Sequence, residues 1–382
     1  MPDNQRCIVV GAGLLGLSSA WALSRRGWDV VVLEAGTTPG HDRAGSKGDA
    51  RIFRLGYPEP HYAAMAVLAQ ARWRALEEAT GRTLLHETGQ VTLGDDTTRR
   101  AIASALAAAG TPVEEIPAAE AARRFPGIEP TGPVLVEPSS GVLAADACLE
   151  ALQQDGRFAL RTACRVTALR DTPTCVTVHT AAGDALAADV VVDCAGTATL
   201  GLLGATLASG AGASLPQVAY FAPRRGAARP PIFIEWGADM VYGLPVPGDG
   251  PHAGTYKVSC HTPGPAAPSF DPTDQAPLPG DDAATVATLS AGVARLLPSL
   301  DPQPVATERC VYDNTVDSDF VLDRVGRIVV GCGTSGHGFK FGPLLGECLA
   351  DLAEGRRPAV DLARFSLGRF GPADTGVDTA GR

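Results

Sequence analysis

Residues 7–16 read CIVVGAGLLG, an apolar, largely β-branched run followed at once by glycines at positions 11, 13 and 16. That order constrains the fold more than any other stretch of the chain. The apolar run predicts a buried strand, and the apolar spacing over residues 17–26 predicts a helix directly behind the turn. Gly27 breaks the helix. Residues 30–33 predict a second buried strand, closed by Glu34. Strand, glycine turn, helix and strand in succession form a dinucleotide-binding unit. Gly11 permits the tight turn, Gly13 lets backbone amides approach a pyrophosphate, and Gly16 lets helix and strand pack closely. The helix N-terminus adds positive partial charge for the phosphates. Glu34 can accept hydrogen bonds from ribose hydroxyls and would repel a 2′-phosphate, which disfavours NADP. The motif alone suits FAD or NAD. Its place at the start of the chain, with a long β-rich insertion after it, favours FAD.

The remaining pattern is mixed. Helices are predicted at 61–80, 97–109, 116–125, 145–154, 285–297 and 344–352. Strands are predicted near 132–137, then at 165–170, 175–180, 189–194 and 328–332. Between 216 and 305 the chain turns to short strands (218–222, 232–236, 241–244, 255–261) split by Gly/Pro-rich turns, with a loop at 263–282. The α/β-type segments fall in separated blocks. The expectation is therefore an α/β (α+β) protein with an FAD-binding Rossmann-like domain and an inserted, mainly antiparallel substrate domain. Residues 1–85, 135–215 and 306–370 make up the first, discontinuous domain. Residues 86–134 and 216–305 make up the second, and 371–382 a loose tail that begins to loosen near 368.

Composition narrows the function classes. The chain has 382 residues and a formal net charge of −10, which argues against a nucleic-acid partner and gives no basic patch for an anionic membrane. No apolar run is long enough for a transmembrane helix. The first strand begins so early that a signal peptide has no room, so a cytoplasmic protein is expected. Nine cysteines are scattered without CxxC or Cys/His ligand spacing, and no metal site is indicated.

Six stretches carry a resemblance in combination: GAGLLGLSSAWALSRRG, SKGDARIFRLGY, EPSSGVL, YKVSCHT, RCVYDNTVDSDFVLD and GTSGHGFKFGP. With these the chain resembles the sarcosine oxidase and N-methyltryptophan oxidase group of the glycine/D-amino-acid-oxidase-like flavoproteins, over roughly residues 6–365. The resemblance implies FAD, tethered through a thioether at Cys310. On residue chemistry alone Cys310 reads as a buried structural thiol, although the neighbouring Arg309 would favour a thiolate. The resemblance further implies that Arg54 and Lys340 bind a substrate carboxylate, that Arg51 lies beside the flavin, and that Tyr57, Tyr242 and Tyr312 line the pocket. Lys257 takes the place of the oxygen-activating lysine, where a fixed cation stabilises the charge of reduced O2. His261 matches an active-site histidine. The backbone of Gly336, His337 and Gly338 is implied to approach the ring. Leu14, Leu15, Ala35, Ser46, Val166 and Gly196 complete the implied cofactor contacts. Lys47 stands where sarcosine oxidases carry histidine, which marks it as a further active-site candidate. The stretch between Tyr242 and Lys257 is longer than theirs.

The activity implied is oxidation of an N-methyl or cyclic secondary amino acid to an imine, with hydrogen peroxide as second product. The alternatives are a dehydrogenase using an acceptor other than O2, a primary amino-acid oxidase of a biosynthetic pathway, a redox-inactive binding subunit and an NAD enzyme. The expected partners are the amino-acid-like substrate and O2, with the protein a monomer or small homo-oligomer.

Overall fold

A computed structural model describes residues 5–203, 211–237, 240–261, 264–267, 271, 274 and 276–370. The segment Arg6–Val10 lies inside a six-stranded sheet, flanked in parallel by Val190–Asp193 and Asp29–Leu33. Ile328–Cys332 and Ala159–Arg161 extend the sheet in parallel, and Val321–Val325 closes one edge as an antiparallel hairpin partner. Strands covered on both faces read as continuous apolar runs, which is why Arg6–Val10, Asp29–Leu33, Val190–Asp193 and Ile328–Cys332 stand out in the sequence while Ala159–Arg161 and Val321–Val325 do not. Helices Leu14–Arg25 and Gly342–Ala353 pack on this sheet around Leu17, Leu23, Leu345 and Leu349, all buried.

The first helix starts at Leu14, three residues earlier than its apolar spacing suggests. The Leu17 amide bonds to the Gly13 carbonyl at 2.9 Å. The Leu14 amide, left without an intrahelical partner at the helix start, is capped by Ser46 Oγ at 2.9 Å, a partner distant in sequence. Helical geometry therefore begins inside the glycine turn.

The second large element is an eight-stranded sheet. Its order is Leu300–Arg309, Gln217–Pro223, Tyr256–Cys260, Val241–Pro245, Ile232–Glu235, Gln90–Leu93, Val134–Glu137 and Glu114–Ile116. All its pairs are antiparallel except that between Ile232–Glu235 and Gln90–Leu93. Helix Ala283–Leu296 covers one face through Leu289, Val293 and Leu296, which meet Ala219, Phe221 and Val258. Two segment boundaries drawn from sequence, at 134/135 and 305/306, fall inside strands of this sheet. Leu300–Arg309 escapes sequence reading because Pro302 and Pro304 interrupt it. As an edge strand it tolerates the missing amides.

Three smaller sheets join the layers, the most useful being Ala50–Phe53 with Gly141–Ala144 and Leu85–Glu87. Residues 368–370, expected to loosen, instead close a 3-10 turn at Leu367–Phe370. Arg369 holds it there by pairing with Asp317 at 2.8 Å. Residues 371–382 and parts of the loop at 263–282 lie outside the described residues.

Candidate active site

Two cavities meet where the sheets face each other. The first, about 470 Å³, opens at the glycine turn. Gly11, Gly13, Leu14, Leu15, Glu34, Ala35, Ser46, Val166 and Gly196 line it. Gly16 does not; it packs behind the turn, where a Cβ would overlap the Gly11 carbonyl oxygen. Gly11 has φ +94°, and a Cβ on it would stand 2.5 Å from the Cys194 carbonyl oxygen. Both positions therefore require glycine. Glu34 accepts from the amides of Ala12 and Gly36, each at 2.7 Å, and lies 3.4 Å from His41 Nε2. Burial raises its carboxyl, but the His41 contact and these amides outweigh that and hold it below the usual carboxylate range. A groove with glycine turn, capped helix N-terminus and charged carboxylate fits the adenosine diphosphate half of a flavin dinucleotide.

The first cavity runs into an inner chamber; Gly45, Val311, Asp313, Thr334, Gly338 and Phe339 line both. Here the structure gathers Arg51, Arg54, Tyr242, Lys257, His261, Cys310, Tyr312, Gly336, His337, Gly338 and Lys340. They come from the strand Ala50–Phe53 and the residue after it, strands of the eight-stranded sheet and their ends, the strand Tyr312–Thr315 and the turn before helix Gly342–Ala353. Gly336 has φ +73°, and a Cβ there would run into the Tyr312 ring. This turn meets its neighbours with bare backbone.

Arg54 and Lys340 are buried. The guanidinium of Arg54 lies between two aromatic faces, 4.1 Å from the Tyr57 centroid and 5.1 Å from that of Trp236. Its Nη1 has no hydrogen-bond partner among the described residues. Lys340 Nζ donates to the His337 carbonyl at 2.7 Å. Burial and the nearby Arg54 push Lys340 well below the ordinary lysine range. Tyr57 does not line the chamber; it lies under Arg54 and contacts His337 Nδ1 at 3.4 Å. His337 Nε2 faces the Ser318 carbonyl at 3.0 Å, and burial followed by Lys340 keeps its ring neutral. Arg51 bonds to the carbonyls of Ala50, Gly45 and Lys47, which fixes its plane. Burial, then Arg54 and Lys340, lower His261 to about 4. Burial and Arg51 lower Lys257 to about 8.

Besides Gly16 and Tyr57, two further expectations change. Lys47 does not line the chamber; its ammonium is 3.3 Å from Asp42 and 3.9 Å from Glu308, drawn outward by carboxylates. Arg309 does not serve Cys310, because it donates to the carbonyls of Leu215 and Gly280. Arg51, Arg54, Lys257 and Lys340 share the chamber with Cys310, and Lys257 is a cation whose charge interacts with it. Sequence reading missed Trp236, Asp313, Tyr220 and Glu308. Only Asp313, inside RCVYDNT, lay in a stretch already marked by the resemblance.

A parallel nucleotide-binding sheet whose cleft opens beneath a mainly antiparallel sheet, on a chamber of buried cations, defines a two-layer flavin oxidoreductase. The chain belongs to the FAD dependent oxidoreductase family, whose pattern matches residues 6–352, and it acts on amine donors. It is 32% identical to peroxisomal sarcosine oxidase of Homo sapiens, over 96% of this chain and 97% of that one. It is 29% identical to N-methyl-L-tryptophan oxidase of Citrobacter koseri, over 95% and 98%. Among solved structures, NikD, described as an unusual amino acid oxidase essential for nikkomycin biosynthesis, superposes with TM-score 0.77 at 27% identity. That match covers 95% of this chain and 98% of NikD. L-proline dehydrogenase from P. horikoshii shares the fold, with TM-score 0.82 at 18% identity, over 97% and 98% of the two chains.

Proposed function

We propose that the protein is an FAD-dependent oxidase of a carboxylate-bearing amine, an N-methyl or cyclic secondary amino acid, releasing an imine and hydrogen peroxide. The observation that carries this is the pair Arg54 and Lys340. Both are buried; among the described residues Arg54 Nη1 has no hydrogen-bond partner, and the charged group that acts on Lys340 is another cation, Arg54. Buried cations without a counter-charge are costly, and an incoming carboxylate offsets that cost. Arg54 supplies a planar fork and Lys340 a point charge.

Bound FAD supplies the two-electron chemistry at the C–N bond and the transfer of those electrons to O2. The glycine turn and Glu34 would hold its adenosine end, and Cys310 would tether its ring as a thioether. The substrate stands under the eight-stranded sheet. His261, neutral above about pH 4, accepts an amine hydrogen rather than repelling a charged amine. Tyr242 and Tyr312 keep their protons, because burial raises both hydroxyls. Lys257 presents a cation to the O2 step below about pH 8. The substrate and O2 are the partners, and the protein works in the cytoplasm as a monomer or small homo-oligomer. The likeness to NikD supports a second reading, a primary amino-acid oxidase of a biosynthetic pathway.

Arg54→Ala tests the proposal. Removing one partner of a buried charge pair costs about 2–5 kcal/mol, so KM for a carboxylated amine should rise at least about thirtyfold. KM for its decarboxylated counterpart should not change. An unaltered KM for the carboxylated amine would sink the carboxylate site.

A further inference from the structure

Lys257 pairs across the eight-stranded sheet with Tyr220 of the strand Gln217–Pro223. Directly opposite residues share a face of a sheet, and Lys257 Nζ lies 5.7 Å from the Tyr220 ring centroid. Tyr220 is fully buried, yet its hydroxyl is satisfied: it donates to Glu308 Oε2 at 2.8 Å. Glu308 is held from two other directions. His252 Nε2 lies 3.2 Å from Oε1, and the His252 ring stacks on Tyr220 at 3.8 Å. Lys47 Nζ stands 3.9 Å away. Lys47 and Glu308 line a separate open cavity of about 810 Å³ that shares no lining residue with the inner chamber. A line of contacts therefore joins a solvent-facing carboxylate to the buried cation of the chamber.

We propose that Glu308 is a positioning residue for Lys257. Its carboxylate, anchored by Tyr220, His252 and Lys47, supplies the counter-charge that keeps Lys257 protonated for the O2 step, a role resting on the oxidase function proposed above. Lys47, displaced from the chamber, acts there only at one remove, by holding Glu308.

The charged groups around Lys257 set the balance. Arg51 and Asp49 face it beside the strand Ala50–Phe53, and Glu308 and Cys310 from the edge strand and the residue after it. Asp146 faces it from the start of helix Ala145–Asp155. Burial and Arg51 press its charge out; Cys310, Glu308 and Asp49 retain it. A Cys310 thioether carries no charge, which leaves Glu308 foremost among the groups that retain it. Burial raises the Glu308 carboxyl, but Tyr220, Lys47 and His252 outweigh that and hold it below the usual range. The counter-charge is therefore present at every pH where Lys257 titrates.

Azide, an anion with the single charge that reduced O2 first carries, provides a test that needs no turnover. The holoenzyme is titrated with azide from about pH 6 to about pH 10 and the flavin absorbance followed. Wild-type affinity should fall as pH rises through the Lys257 titration, below the ordinary lysine range, and Lys257→Met should remove this break. Glu308→Gln should lower the midpoint by about one unit. Tyr220→Phe, which keeps the carboxylate but removes an anchor, should lower it by less. Retained flavin absorbance confirms that each variant is folded. A wild-type break with the Glu308→Gln midpoint unmoved overturns the role of Glu308 alone. A wild-type profile with no break, or one that survives in Lys257→Met, overturns the O2 role of Lys257 and that of Glu308 with it.

Discussion

Lys340 shows how a single residue links burial to binding. It is 3% exposed, gives one hydrogen bond to a carbonyl and lies near a second cation. Its depressed proton affinity reflects burial first and Arg54 second. A carboxylate placed between the two cations reverses the second effect and compensates the first. The sign follows. In the free protein Lys340 loses its proton at an unusually low pH, and the bound anion raises that pH. Between the two values binding takes up a proton, so affinity falls as pH rises through that window. Calorimetry of carboxylate binding in buffers of different ionisation heat should show proton uptake in the wild type and none in Lys340→Met. Zero uptake in the wild type would contradict this account of Lys340. Arg54 and Lys340 were legible in the sequence because FRLGY and GHGFKF are distinctive stretches. Trp236 was not, since nothing in IFIEWG separates an indole that covers a guanidinium from an ordinary core aromatic.

Cys310 and Arg309 illustrate what an element adds to a residue. Neighbours at the end of an extended strand point to opposite faces. Arg309 is therefore spent on the carbonyls of Leu215 and Gly280 while Cys310 faces the chamber. Reading along the chain had paired the thiol with the wrong cation, because adjacency in sequence is separation across a sheet. The glycine turn has the opposite lesson: its roles follow from local geometry, and Gly11 and Gly16 occupy places where a Cβ would overlap backbone. The strand's placement of Cys310 leads to a direct expectation. Acid-precipitated protein should carry yellow flavin on a denaturing gel, with mass added by about one FAD, and Cys310→Ala should release it. A colourless pellet from the wild type would mean a flavin held without a covalent bond.

At the scale of the molecule, the parallel sheet was readable because each of its central strands is a continuous apolar run bounded by turns. The eight-stranded sheet was readable only in part. Its one parallel pair joins Ile232–Glu235 to Gln90–Leu93, partners far apart in the chain, and such pairing leaves no local signal. The same arrangement brings Arg54, from the layer of smaller sheets, under Trp236 of the large sheet, so the candidate site exists only where the layers meet. Fold likeness alone does not name a substrate; the buried pair Arg54 and Lys340 is what supports the proposed carboxylated class. The most direct measurement is anaerobic mixing of the holoenzyme with N-methyl and cyclic amino acids and, in parallel, with their decarboxylated counterparts, while flavin absorbance is recorded. Rapid bleaching by at least one carboxylated amine, with little by its decarboxylated partner, is the predicted result. Equal bleaching by both, or bleaching only by amines without a carboxylate, would contradict it.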